Sequence, residues 1–200
     1  VRGFYEDTEL NPEKAKAKME LLYSRGIRIF VGPSASSEVA AVKSTADTKG
    51  AVVISHYSTA GSLAIAGDNV FRFCPTDRIQ APAVMKLMKL DKKTAVIPIW
   101  RDDAGNAGLV ESMKTNKNLY SLEVSDGISY HANETDFSNS IAELRKQLQS
   151  VLQGKQKSEV CIYTAAFDDI IKLFNQIPEN DILTEVNWYG SDGLALNMQL

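Results

Sequence analysis

The sequence predicts an α/β protein built from parallel β-α-β units. Helix-like and strand-like patterns alternate along the whole chain, which is typical of parallel sheets with crossover helices. The apolar strand-like runs are short and end in polar or glycine-containing loops, and residues 136–152 show the clearest helical period. A chain of 200 residues with 44% hydrophobic content can bury a core, either as one domain or as two small lobes.

Caps, chain breakers and apolar spacing define the predicted elements. Asn11 is a capping residue, Pro12 after it favours the first position of a helix, and Gly26 ends that helix. Other helices are predicted from apolar spacings of three and four, including one with Ile79, Val84 and Leu87 facing inward. The sequence predicts helices at 12–25, 37–48, 78–90, 105–113, 136–152 and 168–175, and strands at 27–31, 51–55, 71–73, 94–100, 121–124, 159–165 and 186–190.

Charge and hydropathy exclude several classes of protein. The 25 acidic and 22 basic residues are spread along the chain and leave a net charge of −3, so neither a nucleic-acid surface nor a polybasic membrane anchor is expected. The longest apolar runs have the length of strands and are shorter than the ~20 residues of a membrane span. Cys74 and Cys161 are interpreted as small apolar residues, and the alternative is a disulfide between them.

Two of the predicted strands end in small hydroxyl residues. The first leads to Ser36 and Ser37, and the second leads to Ser58 and Thr59. Neighbouring parallel strands end at the same sheet edge, where small ligands bind in open α/β sheets, so these four residues are candidate ligand contacts. Ser36 and Ser37 stand where a helix begins. Either one serine caps that helix, or the helix N-terminus and the hydroxyl groups hold a carboxylate.

Acidic residues follow several later strands. After one of these strands, either Asp103 or Asn106 is the N-cap of the next helix, which is the simpler interpretation, or the acidic pair Asp102 and Asp103 binds a cation. Asp192 is flanked by Gly190 and Gly193, which would let the backbone approach a ligand closely and leave the carboxylate exposed at the end of a strand. The alternative for Asp192 is an ordinary turn residue.

The sequence offers little support for catalysis. His56 is interpreted as a surface residue, because His131 is distant and no carboxylate or cysteine completes a metal-ligand spacing. The sequence also lacks a glycine-rich phosphate loop and a nucleophile paired with a base. We therefore expect neither a metal nor a cofactor, and a doubly wound enzyme is the disfavoured alternative.

Seven segments together resemble the type I periplasmic solute-binding proteins of ABC transporters, in the branch for branched-chain amino acids. They are DTELNPEKAKAKM at 7–19, VGPSASS at 31–37, ISHYSTAGSLA at 54–64, FRFCPTDRIQAPA at 71–83, RDDAGNAGL at 101–109, YHANETDFS at 130–138 and YGSDG at 189–193. The resemblance covers nearly the whole chain, and the order and spacing of the segments carry it. It implies two Rossmann-like lobes with parallel sheets, with residues 1–74 and 78–200 in partial lobes and 75–77 as the crossover.

The resemblance also implies roles for individual residues. Ser36 and Thr59 match residues that hold the α-carboxylate of an amino acid ligand. Tyr57 matches a position whose backbone carbonyl binds the ammonium group, and Asp192 matches an acidic residue that pairs with it. Gly105 stands where many members carry an aromatic lid, which implies a roomier pocket.

Further expectations follow from the same resemblance. The match is loose near Phe167, whose ring is a candidate for the missing apolar wall. Family members have further segments at both ends, so the chain resembles an internal fragment. It is expected to belong to a periplasmic or extracellular receptor, lipid-anchored through a preceding segment, that delivers an amino acid to a transporter permease. The alternative is a sensory or regulatory domain of the same fold that binds amides, urea or aromatic acids.

Overall fold

The computed structural model describes residues 2–195 and 197–198. Its regular elements alternate as the sequence indicates, and short 3₁₀ turns connect several of them. The helices are α1 (Pro12–Ser24), α2 (Ser36–Lys49), α3 (Asp77–Leu90), α4 (Ala104–Tyr120), α5 (Ser138–Leu152) and α6 (Ile171–Phe174). The strands are β1 (Ile29–Val31), β2 (Val52–Ser55), β3 (Val70–Arg72), β4 (Ala95–Arg101), β5 (Glu123–Val124), β6 (Ile128–Tyr130), β7 (Val160–Ala165) and β8 (Asn187–Gly190).

The chain divides into two compact units. The first comprises the residues through Asp77 together with Asp103–Gly108, and the second comprises Arg78–Asp102 and the residues from Leu109 onwards. The lobe boundaries implied by the resemblance stay a prediction.

The first unit contains a three-stranded parallel sheet in the order β1-β2-β3. Phe30, Val53 and Val70 stand side by side across it and pack against α1 and α2. The predicted N-cap of α1 forms at Asn11, and α2 ends at a glycine. Asn11 Oδ1 accepts hydrogen bonds from the first N–H groups of α1, and Gly50 ends α2 at a φ of 64°, where a side chain is unfavourable.

The second unit contains a five-stranded parallel sheet in the order β5-β4-β7-β8, with β6 also pairing with β4. Its strands β4 and β7 read as continuous apolar runs because both faces of the sheet are covered. One face packs against α5 and α6, and the other against α3 and α4. This arrangement brings the carboxyl ends of β4, β6, β7 and β8 to one edge.

Strand β6 was missed by the sequence reading. Val96 accepts a hydrogen bond from Ser125 on the β5 side of β4, and Asp102 donates to Tyr130 on that same side. Pro98, which lies between them, has no N–H to donate, so the ladder breaks there into β5 and β6. Gly127 lies against Pro98 at this break. Only glycine fits there, because a Cβ at this position would lie 2.3 Å from the Pro98 carbonyl oxygen.

The predicted inward face of α3 was wrong at two of its three residues, and only Val84 packs against the core. Ile79 and Leu87 are 63% and 47% exposed, whereas Ala81, Met85 and Met88 are buried. Nine of the 14 residues of this helix are apolar and they are distributed around it, so their spacing does not define a single face.

The structure also bears on two expectations from the sequence, the pairing of the cysteines and the lack of a membrane span. No disulfide joins Cys74 and Cys161; Cys161 is buried and Cys74 is partly buried. Among the residues that the structure describes, no helix combines the length and the apolar character needed to cross a bilayer.

Candidate functional site

Hydroxyl groups converge at the carboxyl edge of the first sheet. Ser36 is the first residue of α2, and its Oγ lies 3.0 Å from Ser58 Oγ in the loop after β2. The Ala60 N–H also donates to Ser36 Oγ, at 3.2 Å. The shared edge inferred from the sequence is therefore confirmed, and ligand contact by these residues stays a prediction.

Neither serine caps α2, so that interpretation was wrong. The N-cap position belongs to Ala35, whose backbone N–H donates to the Glu38 carboxylate at 3.0 Å. Ser36 lies one residue inside the helix, and its hydroxyl is engaged by the Ser58–Ala60 loop instead. The N-terminus of this 14-residue helix thus faces the loop with its first N–H groups and the positive end of its dipole.

Side chains at and after the end of β3 form further hydrogen bonds to the backbone of the Ser58–Ala60 loop. Arg72, the last residue of β3, donates from Nη1 to the carbonyl oxygens of Ala60 at 2.5 Å and Ser58 at 3.3 Å. The Cys74 thiol donates to the Ser58 carbonyl at 3.1 Å. Sequence reasoning missed Arg72, although a lone cation inside the apolar run Phe71–Phe73 was the available signal.

The same loop is bonded to the chain on either side of it. The Asp77 N–H donates to the Thr59 carbonyl at 3.0 Å, and the Ser58 N–H donates to Ser55 Oγ at 3.2 Å. Ser55 Oγ in turn donates to the Pro33 carbonyl at 2.7 Å. The loop after β2 is therefore tied both to the loop after β1 and to the segment after β3.

The candidate residues of this edge differ in exposure. Ser36 and Ser58 are buried, Ser37 and Thr59 are partly buried, and Tyr57 is exposed. Buried hydroxyls that bond each other define the position of the loop, whereas the partly buried side chains are within reach of a solute.

Gly105 belongs to this unit and lies beside Ser36. Its N–H and that of Asn106 both donate to Asp103 Oδ1 at 3.0 Å, so Asp103 is the N-cap of α4, as the sequence predicted. A Cβ at Gly105 would lie 3.4 Å from Ser36 Oγ. A side chain at this position would therefore begin in van der Waals contact with the Ser36 hydroxyl.

Phe167 lies at the carboxyl edge of the second sheet, directly after β7. The Arg101 guanidinium stands 4.3 Å from the centre of its ring, and Arg101 Nη1 lies 3.6 Å from Asp169 Oδ1. The ring therefore has a cation on one face, an environment that the sequence did not indicate.

Asp192 follows β8 and is exposed. Its Oδ1 accepts a hydrogen bond of 2.8 Å from Gln80 Nε2 of α3. The neighbouring Gly193 has a packing reason, because a Cβ there would meet the Ala166 carbonyl oxygen at 2.5 Å. Contact with the loop after β7 therefore requires glycine at this position, and approach of the backbone to a ligand stays a prediction.

His56 is exposed, and its Nε2 lies 3.4 Å from Ser34 Oγ. Within residues 2–195 and 197–198, no three His, Cys, Asp or Glu residues are grouped as a metal ion would require.

Comparison with known proteins decides the family. The sequence profile described as "Periplasmic binding protein" matches residues 1–197. The chain belongs to the periplasmic binding protein family. The resemblance recognised in the sequence is confirmed, as is the α/β fold with parallel sheets.

One curated member of similar sequence is the uncharacterized protein MJ1266 of Methanocaldococcus jannaschii. It is 32% identical over 205 residues, which cover 98% of this chain and 47% of the relative. The chain therefore spans about half the length of this relative.

Solved structures of the family share the fold. LivJ from Streptococcus pneumoniae in complex with isoleucine matches with a TM-score of 0.70 and 20% identity, over 94% of this chain and 51% of that one. The leucine-binding protein LivK of Thermotoga maritima matches with a TM-score of 0.72 and 18% identity, over 94% and 51%. A solute-binding protein of R. palustris in complex with benzoate matches with a TM-score of 0.69 and 19% identity, over 92% and 49%.

Proposed function

We propose that this chain is part of an extracytoplasmic receptor that binds an amino acid and delivers it to the permease of an ABC transporter. The observation that carries the proposal is the hydroxyl cluster of Ser36 and Ser58 at the N-terminus of α2. Membership of the periplasmic binding protein family supports the receptor role. The receptor acts in the periplasm or outside the cell, carries out no catalysis and uses no cofactor.

The first unit binds the α-carboxylate in this proposal. Ser36 and Ser58 together have two hydroxyl hydrogens, and the bond between them uses one, which leaves one for a ligand oxygen. Ser37, the Thr59 hydroxyl and the N–H groups of α2 add donors around the same point. A carboxylate is the ligand group that best matches several donors at the positive end of a helix.

The second unit supplies the partner for the ammonium group. The Asp192 carboxylate is exposed and already accepts one hydrogen bond from Gln80, which holds it in position. The backbone carbonyl of Tyr57 supplies a second acceptor, from the first unit. Phe167 supplies an apolar wall for the ligand side chain, and Gly105 leaves room for a large one.

A second candidate is a sensory or regulatory domain of the same fold that binds an amide, urea or an aromatic acid. The neighbour with benzoate and the neighbour with isoleucine are equally similar to this chain, at 19% and 20% identity. Similarity of fold therefore favours neither ligand class. The lack of a side chain at Gly105 suits a ligand with an aromatic ring as well as one with a branched side chain.

Mass spectrometry of the small molecule that co-purifies with the full-length protein tests the proposal. We expect an α-amino acid, with isothermal titration calorimetry of the emptied protein giving one site per chain. A co-purified aromatic acid or amide that binds where amino acids do not would favour the second candidate. Chemical conversion of the bound molecule would contradict both.

A further inference from the structure

A cationic side chain is buried at the carboxyl edge of the second sheet. Arg101 is the last residue of β4, and its side chain is only 11% exposed. It stands in register with Tyr130 of β6, which packs in the same core as α5, so the Arg101 side chain leaves the sheet on that side. The amino acid site described above gives this arginine no role.

The Phe167 ring stacks on the Arg101 guanidinium, whose Cζ lies 4.3 Å from the ring centre. One edge of the ring lies beside Gly193, because a Cβ at Gly193 would meet two ring carbons of Phe167 at 3.1 Å. Phe167 is only partly buried, so part of its ring is accessible to a solute. Because Arg101 itself is almost inaccessible, its charge lies on the inner face of the ring, and a solute reaches Phe167 from another side.

Neutralisation of Asp169 does not fully account for Arg101. Arg101 Nη1 lies 3.6 Å from Asp169 Oδ1, whereas a charge-assisted hydrogen bond measures about 2.7 to 2.9 Å. Within the part of the chain that the structure describes, neither carboxylate oxygen of Asp169 accepts a hydrogen bond. A guanidinium placed only to satisfy this carboxylate would bond to it directly. Arg101 faces the Phe167 ring instead.

The surroundings of Phe167 are otherwise acidic. Residues 166–170 and 191–195, which follow β7 and β8, include three aspartates, at positions 168, 169 and 192, and no lysine or arginine. Arg101 is the cation that stands against them, through its ion pair with Asp169. Its charge therefore decides whether the space beside Phe167 is electrostatically balanced or attracts cations.

We propose that Arg101 is a specificity-determining residue that excludes amino acids with a cationic side chain. The inference rests on the proposed function, in which Phe167 forms the wall for the ligand side chain. A ring that binds a cation on one face disfavours a second cation on its other face. A ligand cation within about 6 Å of the ring centre would lie roughly 10 Å from Arg101, with an apolar ring rather than water between the two charges.

Removal of this charge should have two effects on the same ligand group. The π face of Phe167 that now holds the guanidinium would no longer bind a cation, and Asp169 would lose the charge that offsets its own. Both effects favour a basic ligand side chain beside Phe167. Loss of packing by Arg101 would instead weaken basic and neutral ligands alike.

Calorimetric titration of the full-length protein with norleucine and with lysine tests the proposal. The two free amino acids have side chains of similar length, and lysine adds a terminal ammonium group. The measured quantity is the affinity for norleucine divided by the affinity for lysine. We expect this ratio to be at least about ten in the unsubstituted protein.

Arg101→Met removes the charge and keeps an aliphatic side chain, and it should lower the ratio about tenfold. Arg101→Lys keeps a cation at this position and should hold the ratio within about threefold of the unsubstituted protein. Lys117→Met removes an exposed cation of α4 and is the matched control, with no expected change in the ratio. Asp169→Asn leaves Arg101 without its partner and should raise the ratio.

A double variant covers the case in which Arg101→Met does not fold because Asp169 is left as a buried, unpaired charge. Arg101→Met combined with Asp169→Asn removes both charges. The ring then lacks its bound cation, and the ratio should still fall, by about threefold or more.

The outcomes separate this inference from the proposed function. If norleucine binds but the ratio stays the same in the folded Arg101 variants, the inference is overturned and the proposed function stands. Equal affinity for lysine and norleucine in the unsubstituted protein would overturn the inference in the same way. Binding of neither amino acid by the unsubstituted protein would contradict the proposed amino acid receptor, and the inference with it.

Discussion

Ser36 Oγ and Ser58 Oγ lie 3.0 Å apart and join the start of α2 to the loop after β2. Both side chains are buried, and the Ala60 N–H donates to the same Ser36 oxygen. The pair therefore sets the geometry of the loop on which the candidate carboxylate site is built. A disturbance here should affect both stability and binding.

Ser58→Ala should destabilise the first unit by about 1 kcal/mol, because Ser36 loses a buried hydrogen-bond partner. Ser37→Ala is the matched control and should change the free energy of unfolding by less than about 0.5 kcal/mol. Urea denaturation followed by circular dichroism measures both. Equal midpoints for the two variants would contradict the structural role assigned to Ser58.

Arg72→Met should loosen the loop while keeping an aliphatic side chain at the end of β3. The carbonyl groups of Ser58 and Ala60 lose a charged donor, and we expect a loss of about 1.5 to 3 kcal/mol. The Ala60 amide should also exchange faster with solvent. The exposed Arg78→Met is the control, and a similar small effect for both variants would remove the positioning role of Arg72.

Asp181→Asn should lower stability at neutral pH and have little effect in acid. Burial acts to raise the pKa of Asp181, but hydrogen bonds from Arg145 and the Leu183 N–H outweigh it and hold that pKa below its ordinary value of 3.8. The ionised carboxylate therefore stabilises the fold at pH values well above 3.8, and this contribution is lost as the pH falls through the lowered pKa.

The expected cost of Asp181→Asn at pH 7 is about 1 to 2 kcal/mol, measured by urea denaturation. The difference from the unsubstituted chain should shrink steadily as denaturation is repeated at lower pH. Exposed Glu179→Gln is the control for removal of a negative charge. A difference that stays constant down to strongly acidic pH would show that the Arg145 pair does not depend on ionisation of Asp181.

The sequence was sufficient for most of the fold because its caps and breakers act locally. Asn11, Gly50 and Asp103 each satisfy backbone groups or turns within a few residues, so their effect is readable from neighbouring letters. The buried face of α3 could not be predicted, because apolar residues lie on all sides of this helix. Only its contact with the sheet determines that Met85 and Met88 are buried.

The position of the candidate site could be predicted from the sequence, but the hydrogen bonds that hold its loop in place could not. Small hydroxyl residues after adjacent strands indicated the shared edge of Ser36 and Ser58. The role of Arg72 depends on two carbonyl groups that lie twelve and fourteen residues away, and no local pattern reports such a contact. The alternative in which a serine caps α2 was wrong for the same reason, since Ser36 bonds instead to Ser58, 22 residues away.

The assignment of Asp192 to the ligand ammonium is the central claim about function. Asp192 also accepts a hydrogen bond from Gln80, so a substitution has a structural and an electrostatic consequence. Gln80→Leu removes the hydrogen bond and keeps the charge, and exposed Glu111→Gln removes a charge elsewhere in the second unit. Both controls should leave amino acid affinity within about threefold of the unsubstituted protein.

Calorimetric titration of the full-length Asp192→Asn protein tests this claim most directly, with the co-purified amino acid and its deaminated analogue as ligands. A charge-assisted hydrogen bond to ammonium contributes about 1.5 to 3 kcal/mol, so the amino acid should bind roughly tenfold to a hundredfold more weakly. Binding of the deaminated analogue should not change. Unchanged affinity for the amino acid would contradict the account, leaving Asp192 as a turn residue and the ligand as a polar solute of another class.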